Sequence, residues 1–137
     1  MEAEQLYGYW ILEKRKESPN ETNTFEVFER TYEFKDPSIE VLLFKKDDCK
    51  CFHIGIEVST SETQVKEKFD ISSFYPGTYD INDMSIFILE KETMSISKGK
   101  LFIRARSDDY YCDETWKKLT AEHEDLKKFL DVEMKNK

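Results

Sequence analysis

The spacing of the apolar residues changes once along this chain, and that change limits the folds available to it. From residue 9 to residue 106, apolar and polar residues alternate in short runs that are separated by polar turns. Alternation with a period of two is typical of β-strands that bury one face. From Asp113 to about Lys135, the apolar residues recur instead at steps of three and four, which predicts one amphipathic helix. The sequence therefore predicts a β-sheet protein with a single C-terminal helix.

The order of the strands predicts a barrel. We expect eight or nine consecutive short strands joined by tight turns, such as the hairpin at "SKGK", where Gly99 suits a positive φ. A meander of this kind leaves two unpaired edges unless the sheet closes on itself. We therefore predict an all-β fold, an antiparallel meander barrel of about eight strands over about 7–107, followed by an α-helix over about 113–135. One domain accounts for residues 1–137, because no linker or repeat interrupts the pattern.

Composition and charge restrict the partners that this chain can have. The net charge of −8 disfavours binding to nucleic acid and favours a neutral, cationic or protein partner. No stretch contains the roughly 18 apolar residues that a membrane-spanning helix needs. The first ten residues, "MEAEQLYGYW", lack the basic start and apolar run of a secretory signal. If Met1 is the native start, this absence and three cysteines without an evident disulfide framework predict a cytoplasmic protein.

The stretch "DDCKCFHIG" is the clearest candidate for a metal site. Cys49, Cys51 and His53 alternate, so they share one face of a predicted strand whose other face is apolar. They are suitable ligands for zinc or copper, with Glu57 or Cys112 as a fourth. Residues two apart on a strand stand about 7 Å from one another, which is long for ligands of one ion. This distance favours an ordinary strand face, with no role in metal binding, over a metal site. We therefore predict no metal and no other cofactor.

The other polar candidates favour structural roles. His123 lies on the apolar stripe of the predicted helix, which indicates a core or interfacial histidine with a hydrogen-bonded ring. The acidic stretch "SDDYYCDE" over 107–114 is typical of capping and solvation before a helix. With two histidines and no paired acid and base, the sequence predicts no enzyme.

A resemblance to a known family adds to this interpretation. The stretch "GYWILE", with Gly8 and Trp10, resembles the G-x-W opening of lipocalins and of the wider lipocalin-like barrels. In that family the glycine admits a close approach of the chain at the closed end of the barrel, and the tryptophan plugs that end. An arginine late in the barrel commonly packs over this tryptophan, and Arg104 and Arg106 are the matching residues here. The final hairpin and the helix after it also resemble the end of a lipocalin-like domain.

The chain departs from the family's pattern in two places. The "TDY"-type signature of secreted lipocalins is absent, and "SPNETN" leads directly into the second strand, with no helical lid of the fatty-acid-binding type. The resemblance therefore implies a barrel interior for a small apolar or amphipathic molecule, and no particular ligand.

The leading prediction is non-catalytic binding of a small hydrophobic or amphipathic molecule inside the barrel. The predicted lining residues are Phe25, Tyr32, Phe52, Ile54, Phe69, Tyr79, Phe87 and Ile103, and Arg30 or Arg104 would hold an anionic head group. The same aromatic residues could instead fill the lumen, because a barrel of about eight strands permits either. The alternative is an acidic protein–protein interaction module of the immunity or inhibitor type, which the net charge and "DDYYCDE" favour.

Overall fold

A computed structural model of the protein describes residues 3–18, 28–34, 36–59, 67–106 and 111–137. The strands are β1 Gly8–Ser18, β2 Phe28–Thr31, β3 Ser38–Phe44, β4 Lys50–Ser59, β5 Lys68–Asp80, β6 Ser85–Phe87, β7 Lys91–Ser97, β8 Lys100–Arg106 and β9 Tyr111–Lys118. Short 3₁₀ turns at Ala3–Gln5 and Ala121–His123 precede β1 and the single helix, α1 Glu124–Glu133. None of the helices within these ranges is long and apolar enough to cross a membrane.

The sheet closes through β1, which has partners along both of its edges. Along one edge it pairs with β3 through residues 8–11 and with β2 through residues 14–17. Along the other edge it pairs with β9. Because β3 to β9 pair in chain order, these strands and β1 form a closed eight-stranded antiparallel barrel, with β2 extending one wall. The predicted all-β barrel of about eight strands with a C-terminal helix is confirmed.

The two faces of the sheet are both apolar in part, and each builds its own cluster. The inner cluster draws on every strand of the closed ring and comprises Leu6, Trp10, Leu12, Leu42, Phe44, Cys51, Tyr79, Ile86, Met94, Leu101, Ile103 and Trp116. The outer cluster joins the outside of β1 and β3–β5 to the helix and comprises Ile11, Ile39, Val41, Leu43, Phe52, Ile54, Ile56, Phe69, Leu126, Leu130 and Met134. The helix therefore lies against the barrel wall.

Contacts of the helix and of the turn before it secure this arrangement. The Tyr9 hydroxyl on β1 donates to Asp131 Oδ1 at 2.9 Å. His123 is fully buried, its Nδ1 accepts from the Thr120 backbone N–H at 2.9 Å, and its ring meets Phe34 edge-on. The prediction of an interfacial histidine with a hydrogen-bonded ring is confirmed.

The predicted start of the helix at Asp113 is wrong, because residues 111–118 form β9. Trp116 fits both periods, since it continues the helical stripe and also alternates with Cys112 and Glu114 on one face of a strand. Closure decides between them. A helix here would leave the edges of β1 and β8 unpaired, whereas β9 hydrogen-bonds to both.

The predicted contact between Arg104 and Trp10 is also wrong. Trp10 is buried and its Nε1 donates to the Leu6 carbonyl at 2.8 Å, while Lys118 Nζ lies 4.7 Å from the ring centroid. Arg104 is exposed, because its neighbours in β8 take the inward positions, and its Nε lies 3.8 Å from Asp113 Oδ1. The side chain of Arg106 lies outside the described residues.

Shortening the buried face of the helix should destabilise the protein. Leu126 and Leu130 are fully buried against the barrel. We expect Leu126→Ala or Leu130→Ala to lower the free energy of unfolding by about 2–5 kcal/mol, because each leaves a cavity in the outer cluster. Val132 on the same helix is 74% exposed, so Val132→Ala is the matched control and should change little. Urea denaturation measures all three, and an equal loss in the control would contradict this packing.

Candidate functional site

An irregularity in β1 determines which side chains enter the lumen. Leu12 pairs with Trp116, but Lys14 already pairs with Thr115, so the register shifts between Leu12 and Lys14. Such a bulge inserts one residue and reverses the alternation after it. Trp10 and Leu12 point inward before the bulge, and Arg15 lines the lumen after it.

Arg15 is held inside the barrel by two carboxylates. Its Nη1 donates to Glu40 Oε2 at 3.0 Å and its Nη2 donates to Glu40 Oε1 at 2.9 Å, a bidentate pair. Its Nε donates to Glu114 Oε2 at 2.8 Å. His53 Nε2 also contacts Glu40 Oε1, at 2.8 Å. Strands β1, β3, β4 and β9 thus each contribute one member of a polar network across the lumen.

The electrostatics of this network follow from partial burial and close pairing. Burial by itself raises the pKa of the Glu40 carboxyl, but hydrogen bonds from His53 and Arg15 outweigh it and lower that pKa to about 2. Burial likewise acts to lower the pKa of Arg15, and its two carboxylate partners raise it further above its ordinary value. Arg15 and Glu40 are therefore charged throughout the physiological pH range.

A cavity of about 270 Å³ lies beside this network. Its walls combine the polar side chains of Arg15, His53 and Glu114 with an apolar surface formed by Leu42, Ile86, Ile88, Ile103, Ala105 and Trp116. Leu89 and Glu90 also line it and are exposed, so the cavity reaches solvent on that side. Trp116 is fully buried, and its Nε1 has no hydrogen-bond partner among the described residues.

Glu92 of β7 is the unusual carboxyl group of this cavity. It is half-buried, and it forms no hydrogen bond or ion pair with the part of the chain that the structure describes. Burial, and then repulsion from Glu114 and Glu90, raise the pKa of Glu92 to about 7. The nearby positive charge of Arg15 offsets only part of this effect.

Three of the predicted lining residues lie inside the barrel or against its interior. Ile103 lines the cavity. Tyr79 belongs to the inner cluster, where it meets Phe44 edge-on and its hydroxyl donates to the Lys45 carbonyl. Tyr32 packs against the inner cluster, and its hydroxyl accepts from Arg15 Nη1 at 3.3 Å.

The predicted positions of the other described candidates inside the barrel are wrong. Phe52, Ile54 and Phe69 belong to the outer cluster beneath the helix, because the Cys51–His53 face of β4 points inward and the opposite face points out. Phe87 is 53% exposed.

The two arginines predicted to hold an anionic head group lie on the outside of the barrel. Arg30 is exposed and stacks over the Tyr32 ring at 4.7 Å, and Arg104 is exposed beside Asp113. Because side chains alternate along a strand, both arginines occupy positions that point away from the lumen. Phe25, the remaining candidate, lies outside the described residues.

The Cys–His stretch does not converge on one point. Cys49 is exposed and precedes β4 with a φ of 53°, whereas Cys51 is fully buried within the barrel. His53 is bound to Glu40. Burial raises the pKa of the Cys51 thiol to about 12, so it stays protonated. Within the described ranges, no group of three or more His, Cys, Asp or Glu residues is placed to hold a metal ion.

Sequence reasoning missed the polar residues of the lumen, which are Arg15, Glu40, Glu92 and Glu114. Glu40 carries a usable signal, because it alternates with Leu42 and Phe44 on one face of β3. Arg15 carries none, since the bulge that turns it inward leaves no mark in the hydrophobic pattern.

Comparison of the chain with protein-family models, with curated proteins and with solved structures finds no match. The function is therefore argued from the barrel and its cavity.

Removing Arg15 should cost much more stability than removing an exposed arginine. Its side chain is 21% exposed, and Arg15→Met would leave Glu40 and Glu114 without their cation inside the barrel. We expect the free energy of unfolding to fall by about 3–5 kcal/mol, as is typical when one partner of a buried pair is removed. Arg30→Met is the control in urea denaturation, since Arg30 lies on the surface. A similar, small loss in both variants would contradict a structural role for the network.

The Glu40 carboxylate should also make stability depend on acidity. Its pKa in the folded protein, about 2, lies below the ordinary 4.5. Its stabilising contribution is therefore complete above pH 4.5 and disappears as the pH falls toward 2. We expect Glu40→Gln to be less stable than the wild type at pH 7, and the difference to shrink between pH 4.5 and 2. Urea midpoints across this range measure it, and a difference independent of pH would count against the assignment.

Proposed function

We propose that this chain is a lipocalin-like binding protein that holds a small hydrophobic or amphipathic molecule inside its barrel without catalysis. The observation that carries the proposal is the cavity of about 270 Å³ in the lumen, with apolar walls and a few converging polar groups. Small-molecule sites in proteins commonly combine these two features. The unpartnered Nε1–H of Trp116 offers a donor that a bound molecule would satisfy.

The end of the barrel around Trp10 supports the lipocalin-like assignment. Gly8 has a φ of +106°, a conformation that favours glycine, and Trp10, two residues later, is buried. Leu6 and Phe44 pack with Trp10 in the inner cluster. Among the described residues, Lys118 supplies a cation over the indole ring, where an arginine is common in that family.

The space in the lumen favours this proposal over the two alternatives. An acidic interaction module with a filled barrel would leave no cavity of this size. An enzyme would need an acid and a base that act together on a substrate. Glu92 is available in the cavity, but His53 is bound to Glu40 and Arg15 joins Glu40 to Glu114, so Glu92 has no such partner among the described residues.

A neutral fluorescent probe and a variant that fills the cavity test the proposal. We expect N-phenyl-1-naphthylamine, which fluoresces in apolar surroundings, to bind the wild type with a blue-shifted emission. Ile103 lines the cavity, so Ile103→Trp should abolish this signal by occupying the space. Phe102→Trp is the matched control, because residue 102 is the next position on β8 and points away from the lumen.

Circular dichroism would verify that both variants keep their β-structure. Equal probe binding by the wild type and Ile103→Trp would place the probe elsewhere on the protein and contradict a lumen site. No binding by the wild type, together with a bare polypeptide mass in native mass spectrometry, would also count against the proposal.

A further inference from the structure

The charges around the cavity are unbalanced. Among the described residues that line it, Glu90, Glu92 and Glu114 are carboxylates and Arg15 is the permanent cation. Glu17 also lines it and has an interaction partner of its own. Arg15 is already bound to Glu114, and to Glu40 behind the cavity wall. The guanidinium therefore has no surplus charge with which to attract an anionic ligand.

Glu92 is the carboxylate that most lacks a counter-charge. Its side chain is half-buried, and no described residue forms an ion pair or hydrogen bond with it. The largest effects of neighbouring charges on it come from two further carboxylates, Glu114 and Glu90, which oppose its ionisation. A positive group placed beside Glu92 would remove this repulsion and would recover the cost of desolvating the carboxylate.

Trp116 supplies a second observation that is independent of charge. Its side chain is fully buried, it lines the same cavity, and its Nε1–H has no described partner. Buried N–H donors in native proteins are nearly always bonded to protein, water or ligand. An acceptor atom inside the cavity, such as a hydroxyl or carbonyl oxygen of a bound molecule, would complete this group.

We propose that the lumen site selects a small amphipathic cation, a protonated amine attached to an apolar body. The amine would lie against Glu92, the apolar body would lie against Ile86, Ile103 and Trp116, and an acceptor on the ligand would take the Trp116 N–H. This inference rests on the proposed binding function and specifies its ligand class.

The other ligand classes fit the lining less well. An anion would have to compete with Glu40 and Glu114 for Arg15 and would face the remaining carboxylates. A metal ion would need several converging ligands, and the described residues contain no such group. An amine needs one carboxylate and an apolar surface, and the cavity provides both.

Three probes of similar shape separate these classes in isothermal titration calorimetry. They are 2-phenylethylamine as the cation, 2-phenylethanol as the neutral analogue and 3-phenylpropanoate as the anion. At pH 8 we expect the amine to bind about tenfold more tightly than the alcohol, the effect of one partly desolvated charge pair. The carboxylate should bind most weakly.

A single substitution should remove this preference. We expect Glu92→Gln to bring the ratio of amine affinity to alcohol affinity close to one, because the amide cannot pair with the ammonium. Glu57→Gln removes the same charge from an exposed position of β4 and should leave the ratio unchanged.

The preference should also depend on pH with a definite sign. The pKa of Glu92 is raised to about 7, so its carboxylate is ionised at pH 8 and mostly protonated at pH 6, while the amine probe stays charged. We expect the amine affinity to fall about fivefold between these two values in the wild type, because the protonated site would still bind the amine about as well as the alcohol. The charged and titratable groups around Glu92 are Arg15, Glu17, Glu40, His53, Glu90 and Glu114. The part of the fall that Glu92→Gln abolishes is the part assigned to Glu92.

The remaining outcomes would overturn the inference, and they distinguish failure of the cation preference from failure of the binding function. Equal binding of amine and alcohol, or tightest binding of the carboxylate, would refute selection of a cation and leave the binding function in place. Binding of N-phenyl-1-naphthylamine without binding of any of the three probes would do the same. Failure of all four molecules to bind would refute the binding function as well.

Discussion

The structure depends on β1 having partners along both of its edges. Since β2 and β3 share one edge and β9 takes the other, the sheet closes and no long edge of β1 remains unpaired. Closure divides the side chains into an inner and an outer set. The plugged end, the polar network and the lining of the cavity are all formed by the inner set.

Closure also explains why charged residues occupy the inside of so small a protein. The end near Trp10 is filled by large apolar side chains, and the polar network begins where that packing stops. A guanidinium inside a barrel is costly unless its donors are satisfied, and Glu40 and Glu114 satisfy Arg15 from two different strands. The network therefore ties β1, β3 and β9 together across the lumen, and the cavity lies beside it.

The C-terminal helix accounts for much of the chain's aromatic content. Phe52 and Phe69 would crowd the lumen if they pointed inward, but the helix covers them on the outside of the barrel. Both faces of β3 and β4 are consequently covered, the outer face by the helix and the inner face by the rest of the barrel, as in a sheet with a layer on each side. This double burial weakens the usual inference that the apolar face of a strand is the interior of a barrel, and it caused the wrong positions predicted for Phe52, Ile54 and Phe69.

The sequence by itself determined the fold class, because period-two alternation in consecutive short strands joined by tight turns is typical of an antiparallel meander, and closing the meander removes its unpaired edges. It also indicated the buried role of Trp10, through a resemblance that depends on a short local motif. Only the tertiary structure decided which face of β4 is interior and where β9 ends and the helix begins. It alone turned Arg15 inward, since a one-residue bulge reverses every later side chain of β1 without changing the pattern along the chain. Alternation is a property of one strand and can be recognised in the sequence. Which face of a strand is inside depends on how the whole sheet closes, and this choice determines which residues line the site.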